Sequence, residues 1–195
     1  KSSGDFDGMF DLVVTNPPFG VTVSADLRDR FFDGQLDGPQ SKDAYGLFIL
    51  KCFQLLRPGG VGSLLVSDTW RTIRRHRPLR RRLAEHTTVH RLIDLPTWIF
   101  PATVNTGILT FTASAPPINS QITAADLRSL EKENWPALEN DLTAVADPSP
   151  EQSPTSAVYQ YPQQQIGDYD NYSFFIAFPR LHRIVTDTRY TTLKE

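Results

Sequence analysis

Four consecutive residues, Asn16, Pro17, Pro18 and Phe19, form the most chemically suggestive group in this sequence of 195 residues. They directly follow Phe10–Thr15, a short apolar run typical of a buried strand. The prolines end that strand because they bring no backbone N–H to a sheet. Asn16 and Pro17 each precede a proline, which keeps them extended and fixes the direction of their carbonyls. The sequence therefore predicts a rigid set of hydrogen-bond acceptors at the end of a strand.

Such acceptors suit the exocyclic amine of a nucleobase. That amine is a poor nucleophile because its lone pair is delocalised into the ring, unless the nitrogen is drawn toward tetrahedral geometry. The Asn16 side-chain oxygen and the Pro17 backbone oxygen could accept its two N–H bonds. Phe19 offers a flat apolar face on which a base could stack. The alternative is a plain strand-ending turn with Phe19 in the core, which we favour less.

The order of the predicted elements indicates an α/β fold with a mostly parallel sheet. Strands are predicted at Phe10–Thr15, Val61–Ser67, Val89–Leu95 and Thr106–Thr112, one helix from Ser41 to Leu56, and a short helix around Leu79 and Leu83 that ends near His86. The Arg-Pro-Gly-Gly stretch from Arg57 is expected to end the first helix. Because ligands of open α/β sheets bind at the carboxyl ends of strands, Asn16–Phe19 lies where a site is expected.

The composition changes after Ala113. Residues 115–157 are polar and rich in proline and serine, so we expect an excursion or linker, with one or two polar helices within Ala124–Leu142. Residues 158–195 regain aromatic side chains and form a tail, with a helix expected over Arg180–Thr186.

The formal net charge of −2 conceals a basic stretch, Arg71–Arg82, and an acidic one, Ala124–Asp147. One cysteine, Cys52, excludes an internal disulfide, and no stretch has the apolar length of a membrane span, so a cytoplasmic protein is expected. The histidines show no metal-ligand spacing, so no metal site is predicted.

The basic stretch divides into two parts. Residues 69–77 follow the carboxyl end of a strand, where arginines can bind phosphates, and we expect Arg71, Arg74 and Arg75 to contact DNA phosphates. Arg80–Arg82 follow Pro78 inside a helix, and for them a solvated outer face is expected.

The Asn16–Phe19 tetrapeptide resembles the catalytic tetrapeptide of S-adenosylmethionine-dependent amino-methyltransferases. It is most similar to that of gamma-type DNA adenine N6-methyltransferases of restriction–modification (including type I and type IIG) and phage-exclusion systems. Three further matches are Tyr45–Phe48 opening a helix that ends in Leu-Arg-Pro-Gly-Gly, the strand Gly62–Ser67, and Leu95–Phe111 with its Phe100-Pro101 and Val104-Asn105-Thr106. The resemblance spans about residues 6 to 112 and continues loosely in Phe174–Leu193, which resembles the lead-in to a target-recognition domain.

This resemblance implies a mechanism. Asn16 and Pro17, with Pro18 completing the turn, would hold the N6 amine of an adenine flipped out of double-stranded DNA, and Phe19 would stack on that base. Phe100 would contact its other side or its edge. The methyl group would pass in line from sulfur to nitrogen without a covalent enzyme intermediate.

The resemblance also implies the cofactor, S-adenosylmethionine. Tyr45 and Phe48 would belong to its binding site, with Phe48 against its adenine, although a core position for Phe48 is about equally expected. The glycine-rich loop and the ribose-binding acidic residue with which this family begins are not present. We therefore expect residues 1–114 to be the C-terminal half of a Rossmann-like class I methyltransferase fold, strands 4 to 7 with flanking helices.

Two expectations follow for the chain by itself. It should be inactive and bind S-adenosylmethionine poorly, because most of that site is missing. In the usual strand order, residues 10–15 pair with the first strand, so without it they should form an exposed edge through which the fragment self-associates.

Two other functions remain open. Related Asn-Pro-Pro tetrapeptides serve methylation of RNA bases and of protein glutamine. A non-catalytic nucleic-acid-binding module that retained the pocket is the second alternative. The sequence upstream of Lys1 would separate it from an enzyme, because a glycine-rich strand-to-helix loop is expected there only in the enzyme.

Overall fold

The structure, a computed structural model, describes residues 6–27, 43–100, 104–134, 158–169 and 171–176. The strands are β1 (Phe10–Thr15), β2 (Leu56–Ser67), β3 (Thr88–Asp94), β4 (Thr106–Thr112), β5 (Gln121–Asp126) and β6 (Val158–Pro162). The α-helices are α1 (Ala44–Leu55) and α2 (Arg77–His86), and the 3-10 turns are Asp68–Arg71, Arg74–His76, Lys132–Asn134 and Gln163–Asp168.

The six strands form one sheet in the order β1-β2-β4-β3-β5-β6. β1, β2, β3 and β5 run in one direction, whereas β4 and β6 run in the other. The expected α/β fold is confirmed, with β4 inserted antiparallel between β2 and β3. The carboxyl ends of β1, β2, β3 and β5 therefore meet at one end of the sheet, which we call the carboxyl edge.

β2 begins earlier than the sequence predicted. The helix α1 ends at Leu55, and the backbone is already extended at Leu56, which pairs with Phe10 of β1. The stretch from Arg57 to Gly60, which was expected to end the helix, lies within the first part of β2. A Cβ at Gly60 would lie 2.8 Å from the Phe10 carbonyl oxygen, so the close approach of the two strands there requires glycine.

The segment expected to be a polar excursion contributes a strand to the sheet. β5 pairs with β3 on one side and β6 on the other, and Ile122, Ala124 and Ala125 are fully buried. The prediction of helix at residues 124–126 is therefore wrong, because burial between two neighbouring strands outweighs local propensity. Residues 135–142 and the helix expected at 180–186 lie outside the described residues. The wider division into three segments stays a prediction.

The core consists of two hydrophobic clusters. Leu64, Val66 and Leu109 belong to the larger one, whereas their neighbours Leu65 and Ile108 pack against the smaller one. Successive side chains of a strand point to opposite faces, so the clusters lie on the two faces of the sheet. In the described part of the chain, no helix combines the length and apolarity needed to cross a membrane.

The strand β1 lies at the edge of the sheet, as predicted. Alternate side chains on one of its faces are exposed: Phe10 by 41%, Leu12 by 59% and Val14 by 68%. β1 thus combines an open row of backbone hydrogen-bonding groups with an uncovered apolar face.

Candidate functional site at the carboxyl edge

The residues that follow β1 form a short arch, residues 16–22. Asn16 is exposed, Pro17 is buried and Phe19 is half-buried. Gly20 has a φ of +69°, a left-handed conformation that glycine adopts without strain. The side chain of Asn16 is therefore accessible at the carboxyl end of β1, while Pro17 fixes the backbone beneath it.

The far end of the arch is fixed to the beginning of α1. The Ala44 N–H donates to the Val21 carbonyl at 2.9 Å, and Thr22 and Asp43 form an isolated antiparallel bridge. The arch is thus held at both ends, by β1 at one and by α1 at the other.

A buried polar network connects α1 to the end of β2. The Tyr45 hydroxyl lies 2.8 Å from Thr69 Oγ1 and 2.9 Å from His76 Nε2. Ser67 Oγ lies 2.9 Å from Thr69 Oγ1. Burial raises the pKa of the Tyr45 hydroxyl, which keeps it protonated. This hydroxyl is therefore engaged inside the protein, so any contact of Tyr45 with a cofactor would have to involve its ring.

His76 is neutral in this network. Its side chain is fully buried, and burial lowers its pKa to about 4, although the Asp43 carboxylate, 3.5 Å from Nε2, opposes the shift. Asp43, Thr69 and His76 were not predicted as site residues because their partners lie far away in the sequence.

Phe48 is accessible on α1. It is 41% exposed, whereas Leu47, Ile49 and Leu50 beside it are buried. A large aromatic ring that the core does not use fits a contact with a flat ligand such as the adenine of S-adenosylmethionine. The core position considered for Phe48 does not agree with this exposure.

Arg71 does not face solvent as the predicted phosphate contact would require. Its Nη2 lies 2.8 Å and 3.0 Å from the two oxygens of Asp94, and both residues are buried. Burial raises the pKa of the Asp94 carboxyl, and the Arg71 guanidinium opposes that effect. A Cβ at Gly107 would lie 2.7 Å from the Ile93 carbonyl oxygen, so this glycine lets β4 approach β3 beside Asp94.

Arg74 and Arg75 lie on the 3-10 turn after β2, and both are exposed. Arg75 Nη2 is 2.6 Å from Asp43 Oδ2. Arg74 is thus accessible to a phosphate, whereas Arg75 has a carboxylate partner within the protein.

The expected solvated face of Arg80–Arg82 is wrong for Arg80. This side chain is fully buried, and it donates to the carbonyls of Trp70 at 2.8 Å, Ile73 at 2.7 Å and Asn171 at 2.9 Å. Burial lowers its pKa to about 10. Arg80 thereby holds the turn after β2 against the residues that precede Phe174.

A cavity of about 330 Å³ opens at the carboxyl edge beside this turn. Its charged lining residues are Asp68, Arg71, Asp94 and Arg128, and Phe174 and Phe175 also line it. Arg128 Nη2 lies 2.6 Å from Asp126 Oδ2, so the positive charge of Arg128 is paired with a carboxylate. The Phe174 N–H donates to the Arg71 carbonyl at 3.1 Å, which joins two segments that line the cavity.

Phe100 lies in the loop after β3, at the same edge as the arch. It is half-buried and packs against the smaller hydrophobic cluster. β1 and β3 are three strand positions apart, which corresponds to roughly 14 Å. Residues 101–103 of this loop, including Pro101, lie outside the described residues.

The fold is that of class I S-adenosylmethionine-dependent methyltransferases. The type I restriction–modification methyltransferase subunit from Streptococcus thermophilus superposes with a TM-score of 0.66 at 18% identity, over 87% of this chain and 37% of that one. A putative class I methyltransferase from Listeria monocytogenes superposes with a TM-score of 0.55 at 21% identity, over 70% and 42%.

The family follows from the sequence match. The model of the Eco57I restriction-modification methylase family matches residues 3–100, and the chain belongs to this family. The methylase subunit of the type I restriction enzyme EcoEI from Escherichia coli is 29% identical over 119 residues, 60% of this chain. The chain spans 24% of the length of that curated relative.

Proposed function

We propose that the intact protein containing this chain transfers a methyl group from S-adenosylmethionine to the N6 amine of an adenine flipped out of double-stranded DNA, in restriction–modification or phage defence. The observation that carries the proposal is the Asn-Pro-Pro-Phe arch, with Asn16 accessible at the carboxyl end of β1 and Pro17 buried beneath it. Membership of a restriction-modification methylase family supports the same reaction.

The residues of the arch act on the amine. Asn16 Oδ1 and the Pro17 carbonyl oxygen accept hydrogen bonds from its two N–H groups. The nitrogen lone pair is then less delocalised into the ring and can attack the methyl carbon. Pro18 keeps the Pro17 carbonyl in its extended orientation. Phe19 stacks on the base, and Phe100 bounds it from the side of β3. In the transfer the amine nitrogen would form a bond to the methyl carbon as the carbon–sulfur bond of the donor breaks with its electron pair left on sulfur, and the nitrogen would then release a proton to water.

S-adenosylmethionine, when bound, supplies an electrophilic methyl group. Among the described residues, Phe48 is the one best placed to contact it, because its ring is exposed on a helix whose neighbouring residues are buried. Tyr45 would hold the start of that helix in place. The chain alone offers one wall of such a site, so we expect it to be inactive without the rest of the protein.

Two partners complete the proposal. Double-stranded DNA is the substrate, and exposed Arg74 is the phosphate contact best supported, since Arg71 and Arg75 have carboxylate partners. The isolated chain self-associates through β1, whose open edge and exposed Leu12 and Val14 would pair with a second copy.

The test is transfer of a tritiated methyl group by the intact protein to duplex DNA, structured RNA and protein extract, with digestion of the product to nucleosides. N6-methyladenine from DNA alone supports the proposal, and label confined to RNA or protein overturns it.

Asn16→Ala should lower kcat by roughly 10²-fold or more while leaving the Kd for DNA close to unchanged, because the amide acts on a nitrogen that changes geometry in the transition state. Equal losses in both would make Asn16 a DNA-binding residue.

A further inference from the structure

Asp43 occupies the N-cap position of α1 but does not cap it. An aspartate there usually accepts a hydrogen bond from a backbone N–H in the first turn of the helix. Asp43 has the extended backbone of an N-cap residue, φ −75° and ψ 127°, yet its side chain makes no capping hydrogen bond. The carboxylate instead lies 2.6 Å from Arg75 Nη2 and 3.5 Å from His76 Nε2. A departure from a local preference of this kind points to a role elsewhere.

The backbone beside this carboxylate holds the arch. The bridge between Asp43 and Thr22 and the hydrogen bond from Ala44 N–H to the Val21 carbonyl fix the end of the arch that follows Gly20. If Asp43 moves, the arch loses this support.

The two partners of the carboxylate, Arg75 and His76, lie on the second 3-10 turn after β2, Arg74–His76. His76 is joined through the Tyr45 hydroxyl to Thr69, which lies on the first turn, Asp68–Arg71. Asp43 therefore connects the arch after β1 to the turn after β2.

We propose that Asp43 is a positioning residue that holds the Asn16–Phe19 arch in its reactive arrangement, and that Arg75 serves as its anchor rather than as a phosphate contact. The inference rests on the proposed methyl transfer. A fixed arch keeps the Asn16 and Pro17 oxygens aimed at the two N–H bonds of the amine, and a small displacement of either oxygen slows the chemical step more than it weakens DNA binding.

The decisive variant in the intact protein is Asp43→Ser. Serine is as favourable as aspartate at an N-cap position, so the substitution does not weaken the start of α1, while the bond to Arg75 is lost. We expect kcat to fall about tenfold or more, with KM for DNA and the thermal midpoint nearly unchanged. Asp7→Ser is the matched control, because it removes an exposed ion pair with Lys51, also on α1, and should leave kcat as it is. Unchanged kcat in Asp43→Ser, with the wild type active, overturns the inference alone; an inactive wild type overturns the proposed function.

A double-mutant cycle separates the two roles of Arg75. If Arg75 acts through Asp43, then Arg75→Ala lowers kcat in the wild type but has little further effect in Asp43→Ser. If Arg75 contacts a phosphate, the two losses add and Arg75→Ala also lowers the salt dependence of DNA binding in both backgrounds, which overturns the inference. Asp43→Asn, which keeps an oxygen acceptor for Arg75 without the charge, should show a smaller loss of kcat than Asp43→Ser.

Discussion

Arg71 and Asp94 form a buried ion pair at the carboxyl edge, with one guanidinium nitrogen 2.8 Å and 3.0 Å from the two carboxylate oxygens. Arg71 comes from the turn after β2, and Asp94 is the last residue of β3. The antiparallel strand β4 lies between β2 and β3, so the ion pair spans β4. It joins the turn Asp68–Arg71 to the end of β3, and both of its members line the cavity.

Removing one member of this pair should destabilise the protein strongly. Arg71→Ala leaves the Asp94 carboxylate buried without its main counter-charge, a change that costs about 3–5 kcal/mol. Urea unfolding of the intact protein measures the difference. The double variant Arg71→Met with Asp94→Leu should recover most of the loss, because it leaves neither charge buried. A loss below about 1 kcal/mol in Arg71→Ala would mean that water replaces the arginine.

The strands predicted most accurately were those whose local sequence determines them. Phe10–Thr15 and Thr106–Thr112 are short apolar runs bounded by proline or polar residues, and both have the predicted bounds. β5 was missed because Ala124 and Ala125 favour a helix, and only the flanking strands β3 and β6 make them part of a sheet. A contact between residues distant in sequence cannot be read from a local pattern.

The site was predicted in the same uneven way. The arch could be located because a tetrapeptide defines it and a strand places it. The burial of Arg71 and Arg80 could not be predicted, because a guanidinium is buried only where the fold supplies hydrogen-bond acceptors. Here the acceptors are Asp94 and the carbonyls of Trp70 and Ile73. Those acceptors are brought together by the folded chain.

Acidification should destabilise the protein through His76. Its pKa is about 4 in the folded state and about 6.5 when unfolded, so between these values the unfolded chain binds the extra proton. The contribution of His76 to stability is therefore complete above pH 6.5 and falls by about 3 kcal/mol as the pH drops to 4. His76→Gln, which keeps a partner for the Tyr45 hydroxyl, should lose less stability over this range. The pH profiles of the two proteins are measured by urea unfolding. Identical profiles would show that the pKa of His76 is not lowered in the folded protein.

Arg74 should contribute to DNA binding through charge alone. If it contacts one phosphate, Arg74→Ala weakens binding to all sequences alike and reduces the slope of log K against log salt concentration by about one unit. Arg81→Ala is the matched control, because Arg81 is exposed on α2 and paired with Glu85. Fluorescence titrations at several salt concentrations give the slopes. Equal slopes for wild type and Arg74→Ala would show that Arg74 is a solvated surface arginine that contacts no phosphate.

A charge on the exposed face of β1 should reduce self-association of the 195-residue chain. Val14→Lys places an ammonium group on the apolar face of the edge strand, where burial against a second copy is unfavourable. Ile118→Lys is the control, since Ile118 is 78% exposed in a loop away from this edge. Sedimentation velocity should show a smaller species for Val14→Lys and no change for Ile118→Lys. A monodisperse monomer in the unmodified chain would contradict the proposed pairing.

The last prediction concerns extrusion of the target adenine. If Phe19 stacks on the flipped base, the protein must overcome the unpairing cost of a few kcal/mol, so a mismatch opposite the target adenine should tighten DNA binding. Phe19→Trp should retain more activity than Phe19→Ala, because stacking requires a flat face rather than a particular ring. Both variants should keep the fold, since Phe19 is only half-buried. Binding is measured with matched and mismatched duplexes, and turnover with the matched one. Equal affinity for the two duplexes, together with equal activity of the two variants, would place Phe19 outside the base pocket and leave Asn16 and Pro17 to hold the amine without it.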